Sequence, residues 1–175
     1  MTKKLLLPLI AVLLLGVGAC KKINELLTFY IEDSQAFQLP ASPLVGQLPL
    51  LAFPVQFNSA EEYRKANTAA NLVKDVSLNK LTLDISGPSN ANFDFLENVA
   101  VYISLDPSER TLLASLDQVP MGVKTIELRS SNAKLDKYLK TDQYILSVET
   151  RFRSPLTQNT DMSINYKFKV TADPL

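Results

Sequence analysis

The sequence predicts a mainly β protein, an antiparallel β-sandwich of about seven strands with one or two short helices. Two observations lead to this fold class. From Val73 onward, apolar and polar residues alternate in short segments, which is the pattern of strands with one buried and one solvent-exposed face. Turn-forming residues of the Gly, Pro, Ser and Asn types separate these segments.

The amino-terminal segment has the layout of a bacterial export signal. Lys3 and Lys4 form a positive start, the run 5–15 is apolar apart from Pro8, and mostly small residues follow. This apolar run is shorter than the roughly 20 residues that a membrane span needs. We therefore expect residues 1–19 to be a signal peptide, cleaved between Ala19 and Cys20.

The segment Val17-Gly18-Ala19-Cys20 resembles the lipobox of bacterial lipoproteins, although that pattern commonly has leucine where Val17 stands. In that class the cysteine thiol carries a diacylglyceryl group and the new amino terminus is usually acylated. The resemblance implies that Cys20 is the lipid attachment site and that membrane lipid is its partner. Several acyl chains on one residue anchor a protein firmly without a spanning helix. The alternatives are an ordinary signal peptide with an incidental cysteine and an uncleaved anchor helix.

The chain then divides into a signal peptide at 1–19, a lipid anchor and short tether at 20–25, and a sandwich domain at 26–175. The leader holds two of the 18 basic residues and none of the 18 acidic ones, so the mature side chains sum to 16 − 18 = −2. This balance argues against a nucleic-acid partner, which requires a basic surface. The chain has no histidine and one cysteine, which excludes zinc sites built on those ligands and internal disulfides.

The first predicted strand covers residues 27–31, where apolar and polar residues alternate. The leucine-rich stretch 38–56 contains four prolines and cannot be a regular helix. Its end, 51–57, alternates again and predicts an edge strand, because Pro54 cannot occupy a central strand. This stretch is either a strap packed along the core or an apolar partner-binding arm.

Ser59 and Glu62 have the spacing of a capping box and predict a short helix from residue 60 to about 70. The apolar positions of the next strand change parity between 76–78 and 81–85, which predicts a β-bulge near Asn79 and Lys80. A turn at 87–90 and a short apolar segment at 93–96, which could form one helical turn, follow.

Further strands are predicted at 99–103, 112–116 and 126–129, with turns at 106–108 and 119–122 between them. A short helix is predicted at about 133–139, with Leu135, Tyr138 and Leu139 on one face. Segments 144–153 and 162–171 show the clearest alternation. We expect them to form a long antiparallel hairpin with charge pairs, including Glu149, between its two strands.

Candidate catalytic residues are few. Ser77 and Lys80 match the Ser-x-x-Lys pattern of penicillin-recognising enzymes, but they lie in a predicted strand, and the partner motifs of that family are missing. Asp94 and Glu97 could act as paired carboxylates, or they could be two solvated acids. We expect no catalytic residues, no cofactor and no metal site.

Tyr30 and Tyr102 fall on the polar parity of their strands. Each could stack on a sugar or a peptide, or each could simply pack over its neighbours with the hydroxyl group in water.

The whole outline resembles small β-sandwich lipoproteins of the Bacteroidota that have no assigned activity. The resemblance implies a lipid-anchored, non-catalytic binding or assembly module with a protein partner in the cell envelope. Lys21 and Lys22, next to the anchor, favour the periplasmic side of the outer membrane. The alternatives are a carrier of an apolar ligand such as a lipid, held between the sheets of the sandwich or under the leucine-rich segment 44–57, and a carboxylate-based hydrolase.

Overall fold

Two antiparallel sheets face each other in the computed structural model, which describes residues 28–173. The predicted signal peptide and the lipid anchor with Cys20 lie outside the described residues. The strands, in chain order, are β1 (Thr28–Leu39), β2 (Gly46–Gln47), β3 (Leu51–Gln56), β4 (Val73–Gly87), β5 (Leu96–Asp106), β6 (Glu109–Leu116), β7 (Thr125–Glu127), β8 (Arg129–Ser130), β9 (Gln143–Phe152) and β10 (Thr160–Ala172).

The four-stranded sheet has the order β1-β10-β4-β7, and the six-stranded sheet has the order β2-β9-β5-β6-β8, with β3 also pairing with β9. Seven of the strands have six or more residues, and the other three have two or three. The described chain has two short α-helices, α1 (Ser59–Lys65) and α2 (Asp136–Leu139). The predicted fold class, an antiparallel sandwich of about seven strands with one or two short helices, is therefore confirmed.

The predicted bulge lies in β4. Lys80 pairs with Lys167 of β10, whereas Leu78 pairs with the next residue, Phe168, so Asn79 is the extra residue. The extra residue shifts the side-chain parity by one. As a result, Leu78 and Leu81 both face the core although three positions separate them.

The predicted hairpin of the last two strands is wrong. β9 pairs with β2, β3 and β5 in the six-stranded sheet, whereas β10 pairs with β1 and β4 in the other sheet. The connecting loop crosses between the sheets, and its Leu156 is buried and bridges to Ser42. Alternation decides which face of a strand is buried, but it does not select the neighbouring strand.

The strand predicted at 126–129 also divides between the sheets. β7 pairs with β4 and β8 pairs with β6, so the chain changes sheets at Leu128, whose side chain is buried. Ile126 and Leu128 both face the core, as the alternation predicts. A two-residue period cannot report such a crossing, because both sheets bury their inner faces against the same core.

The capping box is also wrong in detail. Asn58 caps α1 by accepting a hydrogen bond from the Glu61 backbone N–H, and α1 ends at Lys65 rather than near residue 70. Ser59 instead donates its hydroxyl to Asp142 at 2.6 Å. The helix predicted at about 133–139 begins only at Asp136, but the three apolar residues predicted to share its face, one of them the N-cap Leu135, are all buried.

The leucine-rich stretch is part strap and part exposed surface. β3 pairs with β9 alone among the described strands, as predicted for an edge strand, and Val55 and Phe57 are buried. Leu44, Val45 and Leu50 are exposed. None of the helices in the described part of the chain is both long and apolar enough to cross a membrane.

Candidate binding groove

The outer face of the four-stranded sheet carries an open groove of about 520 Å³. Strands β1, β10 and β4 contribute six outward-facing side chains at alternate positions, and Asp33 and Tyr166, of the opposite parity, border it from below. The lining residues are Glu32, Asp33, Ser34, Lys80, Thr82, Asn165, Tyr166 and Lys167.

One row of charged side chains crosses the groove. Lys167 lies between Glu32 on β1 and Lys80 on β4 in the strand register. Its ammonium is 2.6 Å from the Glu32 carboxylate, and the ammonium of Lys80 is 3.6 Å from the carboxylate of Glu127. Two lysines directly opposite each other repel, and the two flanking glutamates offset this repulsion.

A hydrogen-bond network forms the next row. Ser34 donates to the Asn165 side-chain oxygen at 2.5 Å, and the Asn165 amide donates to Asp84 at 2.6 Å. Thr82 donates to the same carboxylate at 3.1 Å, and Thr125 of β7 also donates to it. Asp84 thus accepts three side-chain hydrogen bonds that hold the floor in one arrangement.

Tyr30 lies at the edge of the groove. It is opposite Lys169 in register, and the residue is 49% exposed. The Lys167 ammonium sits 4.6 Å from the centre of its ring. This cation–π contact orients an aromatic ring beside the charged row.

Beneath the groove, a buried chain of hydroxyl groups joins the two sheets. Tyr144 of β9 donates to Tyr166 of β10 at 3.0 Å, and Tyr166 donates to Asp33 of β1 at 2.9 Å. Burial raises the pKa of Tyr166, and the neighbouring Tyr144 and Asp33 raise it further. Both phenols therefore stay protonated at neutral pH and act as structural donors.

The outer face of the six-stranded sheet also brings a tyrosine, a basic residue and a carboxylate together, and here all three contact one another. Tyr102 donates to Glu149 at 3.1 Å, and Arg110 donates to the other oxygen of that carboxylate at 2.8 Å. The Arg110 guanidinium also covers the Tyr102 ring at 4.8 Å. Partial burial, followed by the hydrogen bond to Glu149, raises the pKa of Tyr102.

The other sequence candidates have separate partners. The bulge at Asn79 brings Ser77 and Lys80 to the same outer face, but Ser77 pairs with Lys169 and Lys80 pairs with Lys167. Asp94 accepts a hydrogen bond from the Gly122 backbone, whereas Glu97 bonds Arg151 at 3.0 Å. Glu149 forms the charge pair that was expected across a hairpin, but its partner, Arg110, belongs to β6.

The void found between the sheets is small. The void lined by Phe37, Leu83, Phe95, Met162 and their neighbours has a volume of about 10 Å³. Small-molecule sites usually have volumes of about 300–1,000 Å³. Within residues 28–173, no group of three or more Asp, Glu, His or Cys side chains is arranged to hold a metal ion.

Of the groove residues, the sequence analysis named Tyr30 as a possible stacking residue and Lys80 as part of a Ser-x-x-Lys pattern. It missed Lys167, Asn165 and Asp84, which come from two strands about 80 residues apart in the chain. The alternation of apolar and polar residues predicts that these side chains face outward, but it predicts the same for the other polar residues of the strands. Only the pairing of β4 with β10 brings them together.

No family model and no curated protein matches this chain. Among solved structures, the chain is similar to a decameric BFDV capsid protein, with 10% identity, coverage of 82% of this chain and 99% of that chain, and a TM-score of 0.35. It is similar to tobacco necrosis virus, with 9% identity, coverage of 85% and 97%, and a TM-score of 0.32. A structure of infectious bursal disease virus has 12% identity, coverage of 82% and 31%, and a TM-score of 0.40. At these TM-scores the likeness carries no argument about function.

Proposed function

We propose that this protein is a lipid-anchored, non-catalytic binding or assembly module of the cell envelope, held at the periplasmic face of the outer membrane. The observation that carries the binding role is the open groove of about 520 Å³ on the four-stranded sheet. The lipobox-like segment that ends at Cys20 is the basis for the anchor. In this proposal, the sandwich acts as a rigid scaffold that presents the groove near the membrane.

The short tether supports this arrangement. Thr28, which opens β1, follows Cys20 by 28 − 20 = 8 residues. Eight residues span at most about 28 Å when fully extended. Glu32 of the groove is only four residues further along β1, so an acylated Cys20 would keep the groove close to the lipid surface.

The partners of the candidate catalytic residues favour a non-catalytic role. Asp94 and Glu97 are engaged with Gly122 and Arg151, and Lys80 is close to Glu127. A general base or nucleophile has to reach a substrate with a suitably shifted pKa. The pKa shifts of the buried tyrosines run upward, which makes these groups poorer bases and nucleophiles at neutral pH.

The carrier alternative receives little support. A lipid held between the sheets would need a cavity of several hundred Å³, and the void there has about 10 Å³. Ligand entry would require separating sheets that the Tyr144–Tyr166 hydrogen bond links. The outer groove needs no such rearrangement.

The test expresses the full chain, with its leader, in a bacterium that processes lipoproteins. We expect the mature protein in the membrane fraction, with a mass that shows acylation of Cys20. The Cys20→Ser variant is the matched control and should leave the membrane fraction. Crosslinking followed by affinity capture from the same membranes then identifies bound material.

An unmodified Cys20, or a mature protein outside the membrane fraction, would overturn the anchor. Turnover of a substrate that depends on Asp94, Glu97 or Ser77 would overturn the non-catalytic role.

A further inference from the structure

We propose that the groove on the four-stranded sheet binds a neutral, hydroxyl-rich ligand of the oligosaccharide class. This inference names the ligand class for the proposed binding function and rests on that function. Three properties of the groove support it: its charges disfavour an anionic ligand, it offers hydrogen-bond donors and acceptors side by side, and an exposed aromatic ring lies at its edge.

The first property is the charge of the lining. Glu32 and Asp33 contribute two negative charges, and Lys80 and Lys167 contribute two positive ones, so the side chains sum to 2 − 2 = 0. Glu127 beside Lys80 and Asp84 in the floor add two further negative charges, so carboxylates outnumber ammonium groups around the groove. An anionic ligand would have to compete with these carboxylates for the two ammonium groups, whereas a neutral ligand meets no net repulsion.

The second property is the hydrogen-bonding supply along the rim. Glu32 and Glu127 have side-chain exposures of 65% and 63%, and Lys80 has one of 55%. A carboxylate only accepts hydrogen bonds and an ammonium only donates them, so the row Glu32, Lys167, Lys80 and Glu127 runs acceptor, donor, donor, acceptor. A sugar hydroxyl both donates and accepts, so neighbouring hydroxyls can bond to the carboxylates and to the ammonium groups of this row. Hydrogen bonds to charged groups are also the stronger ones.

The third property is the ring of Tyr30. Its exposure of 49% leaves ring surface available, and the Lys167 contact at 4.6 Å fixes its position next to the charged row. An amphipathic ligand with an apolar C–H face and polar edges suits an aromatic ring beside polar groups. The pyranose ring of a sugar has this character.

The floor gives the groove its shape before a ligand arrives. Asn165 and Asp84 are half-buried and hold each other at 2.6 Å, and Ser34 and Thr82 complete the network. A site that is already rigid loses less conformational entropy on binding.

The experiment uses the mature protein purified from membranes in a detergent without a sugar headgroup. Isothermal titration calorimetry measures binding of neutral hexasaccharides of glucose, mannose, galactose, xylose and N-acetylglucosamine. Hexagalacturonate and inorganic phosphate serve as anionic probes. We expect at least one neutral probe to bind and both anionic probes to bind at least tenfold more weakly.

Matched tyrosine variants locate the site. Tyr30→Ala should weaken binding of the neutral probe by about tenfold, whereas Tyr30→Phe should retain affinity within about twofold, since the ring does the stacking. Tyr102→Ala on the opposite sheet is the control and should leave affinity within about twofold. Lys80→Ala, which removes a rim donor, should also weaken binding.

Several results would overturn the inference: no neutral probe binds, only hexagalacturonate or phosphate binds, or Tyr30→Ala binds as the wild type does. Acylated Cys20 with a captured protein partner but no sugar binding would overturn the ligand class and leave the anchored binding module intact. Sugar binding by a protein with unmodified Cys20 would overturn the lipid anchor and leave the ligand class intact.

Discussion

The outer faces of the two sheets carry the same three kinds of group in different arrangements. On the six-stranded sheet, Tyr102 and Arg110 both donate to Glu149, and each is close to the other. On the four-stranded sheet, Tyr30 and Glu32 both contact Lys167, but the Tyr30 hydroxyl donates no hydrogen bond to the Glu32 carboxylate. This comparison concerns the described residues 28–173.

The difference shows that residue type alone does not make a binding surface. The carboxylate of Glu149 satisfies two neighbours at once, so the donors and acceptors there serve each other. On the other face, Lys80 approaches Glu127 only to 3.6 Å, and the carboxylates of Glu32 and Glu127 are largely in water. Groups that remain solvated can exchange water for a ligand at little cost.

The largest expected effect lies beneath the groove. Tyr166→Ala should lower the free energy of unfolding by about 3–5 kcal/mol, because it leaves a cavity and removes the donor to Asp33. Tyr102, on the outer face of the other sheet, is only half-buried, so Tyr102→Ala should lower the free energy of unfolding by about 1 kcal/mol. Urea unfolding followed by circular dichroism measures both values, and equal losses would contradict the asymmetry between the faces.

The next effect concerns the two carboxylates that organise the faces. Asp84→Ala removes the acceptor of Asn165, Thr82 and Thr125, and we expect a loss of about 1–3 kcal/mol. Glu149→Ala removes the acceptor of the half-buried Tyr102 and the exposed Arg110 and should cost about 1 kcal/mol or less. Urea unfolding measures both losses of stability, and a larger loss for Glu149→Ala than for Asp84→Ala would contradict this prediction.

The pH dependence separates the buried tyrosines from Tyr102. Burial raises the pKa of Tyr166 and Tyr144 above the ordinary value of 10.0. As pH rises past about 10, the unfolded chain loses these phenolic protons first, so the stability present below pH 10 falls above it. Unfolding measured from pH 8 to 11 should show this fall, and Tyr166→Phe should flatten it more than Tyr102→Phe does. An unchanged slope in Tyr166→Phe would contradict the assignment.

The smallest effect is that of the exposed charge pairs. A double-mutant cycle on Lys167 and Glu32 should give a coupling of about 0–1 kcal/mol, which decreases at high salt. The Arg110–Glu149 pair, with side-chain exposures of 33% and 31%, should give the larger coupling of the two. Cycles measured at low and high salt test this order, which would be wrong if the Lys167 pair proved stronger.

Much of the fold was readable because strand alternation and turn chemistry are local. The parity change around Asn79 predicted the bulge, since burying apolar residues on both sides of it requires one extra residue. Spacing likewise predicted the buried face of α2, with Tyr138 and Leu139. The anchor at Cys20 remains a prediction from the sequence.

The sequence by itself determined which residues of β4, β9 and β10 face the core, because side-chain direction follows from the backbone period. Only the tertiary structure decided which strands are neighbours. β9 and β10 have equally regular patterns, and each occupies the interior of a different sheet instead of pairing with the other. The groove depends on this strand pairing, because the β4–β10 register brings Lys80 and Lys167 opposite each other. Such long-range pairing is selected by the packing of the whole core, and no local stretch of residues contains that information.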